Sequence, residues 1–173
     1  TGGHVEYIDR VYLNSVAYNF EPGDAETAGI VLSAPYTEIG YTEDGVTIEY
    51  NAETADIEVE EETFPIDRVI TKETVAVTCN MAESSLFNID KAMAGSVLSG
   101  SILKRGGGVN KKLTLQIRST NPADYIRAIQ IPVCTATGSV GMPYKKGTKT
   151  IVPVTFQALK TDANPAVTLV DNA

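Results

Sequence analysis

The sequence predicts a mainly β fold, an antiparallel β-sandwich or barrel-like domain with one flanking α-helix. Three observations carry this prediction. Apolar and polar residues alternate over many short segments. Turn signals separate those segments, and only one stretch, about residues 84–94, has helical spacing. A chain of 173 residues reads as one domain, 1–173. At this size folding buries roughly 70% of the unfolded chain's surface, so the core needs neither disulfide nor metal.

The first clear element is TEIGYTEDGVTIEY, residues 37–50. Asp44-Gly45 supplies the positive φ of a tight hairpin turn, with alternating residues on either side. Val46, Ile48 and Tyr50 then share a face against Thr47 and Glu49. Next, ADIEVEEE directs Ile57 and Val59 to the core and Asp56, Glu58 and Glu60 to the opposite, wet face of a strand. Val75, Val77, Cys79 and Met81 repeat the alternation, as do Leu113, Leu115 and Ile117, and Val152, Val154 and Phe156. All read as half-buried strands.

Residues 84–94 break the pattern by setting Leu86, Ile89 and Met93 on one helical face. A serine stands at the start as N-cap and Gly95 ends the helix, which is expected to pack onto an end of the β structure. Beyond it, Lys104-Arg105-Gly106-Gly107-Gly108-Val109-Asn110-Lys111-Lys112 reads as a long, basic, mobile loop. The start, TGGH, and the tail, residues 160–173, read as loose ends, the tail with room for one last strand.

Charge is distributed unevenly. Residues 1–66 hold 15 of the 22 carboxylates and one base, Arg10, a balance of −14, whereas residues 67–173 hold 7 carboxylates and 13 bases, a balance of +6. Such asymmetry implies self-docking or two surfaces with different tasks. On a strand, Asp56, Glu58 and Glu60 stand about 6.6 Å apart, twice the rise per residue. Each neighbouring repulsion then costs on the order of 0.6 kcal/mol in water and about 2.5 kcal/mol at an effective dielectric of 20. That face must stay wet or meet cations.

No catalytic, cofactor-binding or metal-binding set is expected. The single histidine, His4, lies in the Gly-rich start, and the two cysteines, Cys79 and Cys134, lie in apolar strand-like stretches. Those cysteines read as buried thiols of a reducing cytoplasm, with a bridge between neighbouring strands as the alternative. ADIEVEEETF lacks the glycine of an EF-hand loop, and the Gly-rich basic loop lacks the G-x-x-x-x-G-K-[ST] phosphate cradle. No apolar run reaches the length of a membrane span and no secretory leader opens the sequence, so a soluble chain is expected.

The order of motifs resembles the major tail tube proteins of long-tailed, siphovirus-like bacteriophages. The likeness runs from TEIGYTEDGVTIEY through ADIEVEEETFPIDRVITKETVAVTCNMAESSLFNIDKAMAG and returns in VPVTFQALKTDANPAV, roughly half of the chain. Residues 1–35 depart from the family's pattern. The resemblance implies a structural virion protein, not an enzyme, located in the tail and in the host cytoplasm during assembly. Its subunits would form hexameric rings, stacked head to tail into a hollow conduit for DNA ejection. Partners would be further copies of the chain, a tape-measure protein, tail terminator and baseplate or hub proteins. Genomic DNA would pass without sequence specificity, and no membrane would be involved. On this reading Asp56, Glu58, Glu60 and Glu49 face the lumen, while Lys104, Arg105, Lys111 and Lys112 meet an acidic neighbour. The competing readings are a tail-completion, hub or capsid decoration protein of related fold, and a monomeric binding module.

Overall fold

The computed structural model describes residues 7–14, 37–106, 109–120, 126–137, 140–162 and 165–171. His4 and residues 15–36 lie outside them. The elements are β1 (Tyr7–Asn14), β2 (Thr37–Glu38), β3 (Thr42–Ile57), β4 (Asp67–Met81), α1 (Leu86–Ala92), β5 (Ser96–Ser99), β6 (Ile102–Arg105), β7 (Leu113–Thr120), β8 (Ile126–Thr137), β9 (Val152–Ala158) and β10 (Thr168–Asp171). Strand order in the main sheet is β2-β1-β7-β8-β9-β4-β3, antiparallel throughout. The sheet curls into a half-barrel, and β5 and β6 form a separate small hairpin. β8 gives one edge to β7 and divides the other, with β10 opposite Arg127–Gln130 and β9 opposite Cys134–Thr137.

The core lies on one face of the curl. Val77, Cys79 and Met81 of β4, Val152, Val154 and Phe156 of β9, and Leu113, Leu115 and Ile117 of β7 are buried there, as their alternation predicts. Each apolar side chain of this kind contributes roughly 1.5–3 kcal/mol when removed from water. Cys79 and Cys134 are free and buried, and β9 stands between their strands, so the bridge between neighbours does not form. β7 differs from the half-buried expectation, and its neighbour β8 is likewise buried on both faces. Thr114, Gln116 and Gln130, on the opposite face, are buried as well. The Thr114 hydroxyl donates to the Pro132 carbonyl at 2.9 Å.

The helix is shorter than the spacing predicts. Ser85 is its N-cap, accepting from the Asn88 N–H at 3.2 Å, and Gly95 turns the chain away at φ 72°. Ile89 is buried and Met93 packs against the core, but Leu86 in the first turn is exposed. That end of α1 faces water because its anchor is polar. The Asn88 amide donates to the carbonyls of Ile39 and Glu83, both at 2.9 Å, stitching the helix to the segment before β3.

Asp44-Gly45 is not a hairpin turn. Both residues do have positive φ, 62° and 78°. They form a bulge inside β3: Glu43 faces Asn80, Val46 faces Cys79, and Asp44 and Gly45 have no partner on β4. Among the described residues Val46–Tyr50 pair with Val75–Cys79 of β4 and with no upstream strand. β2 has only two residues and pairs with β1, and Gly40 then breaks the extended path at φ 80°. A side chain at Gly40 would also land 2.4 Å from the Glu83 carboxyl carbon. The true turn of the hairpin lies far along the chain, at residues 58–66.

Candidate functional site

β3 and β4 run well past the sheet that supports them. β9 pairs with β4 only over Ala76–Met81, so Tyr50–Glu73 form an arm in which every residue is exposed. Its paired length, from Tyr50↔Val75 to Ile57↔Asp67, is about 25 Å at the usual strand rise. A two-stranded ribbon this long is marginal in water by itself. Cross-strand pairs hold its shaft. Arg68 Nε reaches Asp56 Oδ1 at 2.5 Å, Lys72 Nζ lies 3.8 Å from Glu53, and the Tyr50 hydroxyl donates to Glu73 at 2.5 Å. The Arg68 hydrogen bond holds the Asp56 carboxyl below the usual carboxylate range, against the desolvation that opposes it. Exposed pairs of this kind hold only weakly, because water and salt screen them.

The expected acidic strand therefore changes character. It ends at Ile57, and Glu58 and Glu60 sit in the turn region at the tip, beside Glu61 and Glu62. On the shaft Asp56 and Glu53 have basic partners and Glu73 accepts from the Tyr50 hydroxyl, whereas Glu58, Glu60, Glu61 and Glu62 gather at the tip. Ile57 and Val59 are exposed there, not in a core, because no other layer of the described residues covers the arm. Phe64 is 81% exposed and Ile66 is exposed beside it.

Glu49 belongs elsewhere, on the outer face of the supported part of the sheet. Register places it in line with Ala76 and Gln157, next to a row formed by Thr47, Thr78, Thr155 and Thr137. The Thr78 and Thr155 hydroxyl oxygens are 3.3 Å apart. This face is polar, partly to fully solvated and almost uncharged. About nine residues of β3 and the turn separate Glu49 from Glu58, roughly 30 Å at strand rise, so the two do not form one acidic strip.

The predicted basic loop is also reorganised. Lys104 and Arg105 lie in β6, paired with β5. The outward face of this small hairpin carries Val97, Ile102 and Lys104, all exposed, while Leu98 and Leu103 turn inward. Gly107 and Gly108 lie outside the described residues. Lys112 is exposed, but Lys111 is engaged within its own chain: its Nζ lies 2.5 and 2.6 Å from the two carboxylate oxygens of Asp90.

Asp90 is buried, and it also receives Lys91 at 3.1 Å and the Ser96 hydroxyl at 2.8 Å. Burial pushes its carboxyl upward, but hydrogen bonds from Lys111, Ser96 and Lys91 outweigh it and leave the group below its usual range. The cluster ties α1, the start of β5 and the strand-entry segment before β7 together. Sequence reasoning missed it. Its signal is an acid between Ile89 and Lys91 in a segment with helical spacing, on the turn that carries the apolar stripe.

Among the described residues no three His, Cys, Asp or Glu side chains gather where they could hold a metal ion, and no helix is long and apolar enough to cross a membrane. Comparison of the chain with protein-family models and with curated proteins returns no match.

Proposed function

We propose that this chain is a structural subunit that assembles with copies of itself into a hollow tube, the tail tube of a long-tailed phage. The observation that carries the reading is the β3–β4 arm. Among the described residues no strand pairs with either outer edge of the arm and no layer lies over it, and Phe64 and Ile66 are exposed at its end. Exposed edges and contiguous apolar surface are liabilities in a chain meant to stay alone. They become useful when a neighbour covers them. The motif order from residues 37 to 95 supports the same assignment.

In such a tube the polar face bearing Thr47, Thr78, Thr155 and Glu49 suits a water-filled wall. Duplex DNA carries about one charge per 1.7 Å of axis and binds tightly to any basic wall through counterion release. Around Thr47, Thr78 and Thr155 the one carboxylate, Glu49, stands among neutral side chains, which give phosphate little to hold. Glu49 is thus the carboxylate that keeps a lumen role, whereas Asp56 is neutralised by Arg68 and Glu58 and Glu60 ride on the tip. Electron microscopy of the purified chain at rising concentration tests the assignment. Hollow tubes of uniform diameter are expected. Monomers at every concentration would overturn it, and closed single rings would favour a completion or hub role.

A further inference from the structure

The chain carries two exposed hairpins that are complementary to each other and apart within one molecule. The arm tip presents Glu60, Glu61 and Glu62 in the same turn region as the exposed Phe64. The β5–β6 hairpin presents Lys104 beside Val97 and Ile102, the latter 60% exposed, on its outward face, and Arg105 stands exposed at the end of β6 on the other face, opposite Ser96. Among the described elements β5 packs on α1, while β3 packs on β4 and β1, so the two hairpins are not each other's neighbours in the fold. Each combines one sign of charge with exposed apolar surface, the combination that both steers an encounter and holds it.

We infer that the acidic arm tip of one copy docks on the basic β5–β6 hairpin of a second copy. This deepens the tube reading and rests on it for the premise that copies associate. The contact is heterologous, since donor and acceptor are different patches, and such contacts propagate into closed rings or open filaments instead of stopping at a dimer. The two partners also differ mechanically in a useful way. The arm is a free ribbon able to adjust. The acceptor is fixed at its base, where Ser96 bonds to the buried Asp90 that Lys111 and Lys91 neutralise, and where Leu103 packs against the core. A preorganised acceptor lowers the ordering cost of docking. Shaft charges do not compete, because Asp56 and Glu53 have Arg68 and Lys72 as partners.

Charge reversal tests the contact with the full-length chain. Variant one carries Glu60→Lys and Glu61→Lys; variant two carries Lys104→Glu and Arg105→Glu. Assembly is read by light scattering and electron microscopy, and folding by circular dichroism. Each variant alone should stay folded and raise the critical concentration for assembly at least about tenfold, the change that 1.4 kcal/mol of lost association energy makes. An equimolar mixture should assemble again, because the basic tip of variant one then meets the acidic hairpin of variant two, and the acidic tip of variant two meets the basic hairpin of variant one. A single chain carrying all four changes should assemble by itself. Single variants that assemble like the parent would overturn the inference while leaving the tube reading intact. Folded single variants that lose assembly, with neither mixture nor quadruple variant restoring it, would overturn the complementarity as well. A parent chain that never assembles removes the tube reading instead.

Discussion

At Asp90 a single carboxylate decides how a corner of the molecule is held. Its side chain is 2% exposed and touches two ammonium groups and a hydroxyl. Lys111→Met removes the closer ammonium and leaves the carboxylate buried with Lys91 alone, which should cost about 3 kcal/mol, the low end for breaking a buried ion pair. Asp90→Asn in the same background should recover part of that loss, since it removes the stranded charge. Urea denaturation of the three proteins checks both statements. The pH dependence has a definite sign. The folded-state carboxyl lies below the ordinary 3.8, so its contribution is fully present above that value and is lost as pH falls through the lowered folded value. Acid unfolding should therefore be less steep in Asp90→Asn. The cysteines act oppositely in character: burial pushes both thiols up to about 12, which makes them packing groups and poor nucleophiles at neutral pH.

Among the elements, the helix and the arm show what periodicity conveys and what it cannot. Alternation located β4, β7 and β9 and their buried residues, because a strand whose side chains are half in a core must repeat every second residue. It also located α1 through Ile89 and Met93. The same alternation in residues 46–60 was blind to whether a second layer exists, so it assigned Ile57 and Val59 to a core that ends near Val75. Pattern shows which residues share a face, not what that face meets. Positive φ at Asp44-Gly45 was legible from composition, but a turn and a bulge use the same backbone conformations, and only the pairing partner separates them. At α1 the difference is testable. Ile89→Asp should abolish soluble folding by placing a charge in the core, whereas Leu86→Asp, at an exposed position, should change stability by no more than about 0.5 kcal/mol. Thermal melts of the two purified proteins decide it; equal losses would mean that the exposed end of the helix is packed after all.

At the scale of the whole molecule the half-barrel depends on pairings between distant parts of the chain. Part of the charge asymmetry read from sequence is sorted by hairpin, with Glu58, Glu60, Glu61 and Glu62 at the arm tip and Lys104 and Arg105 on β6, and no linear pattern could have separated these tip carboxylates from Asp56 and Glu53, which have basic partners. β1 shows the distance most plainly. Its register joins Tyr7 to Thr120 and Asn14 to Thr114. Ribosomes add about 5–20 residues per second, so β1 waits on the order of 5–20 s after its synthesis before its partner exists. The β3–β4 hairpin, whose strands are contiguous in the chain, can close during that wait, before the β5–β6 hairpin has been made. Stalled nascent chains ending before β7 should accordingly protect the arm's base poorly and residues 7–14 not at all from protease, and protection should appear once β9 has emerged. The order of synthesis thus separates in time the two surfaces that would otherwise find each other on crowded polysomes: the tip is finished first, and its docking site becomes rigid only when Lys111 has arrived to neutralise Asp90.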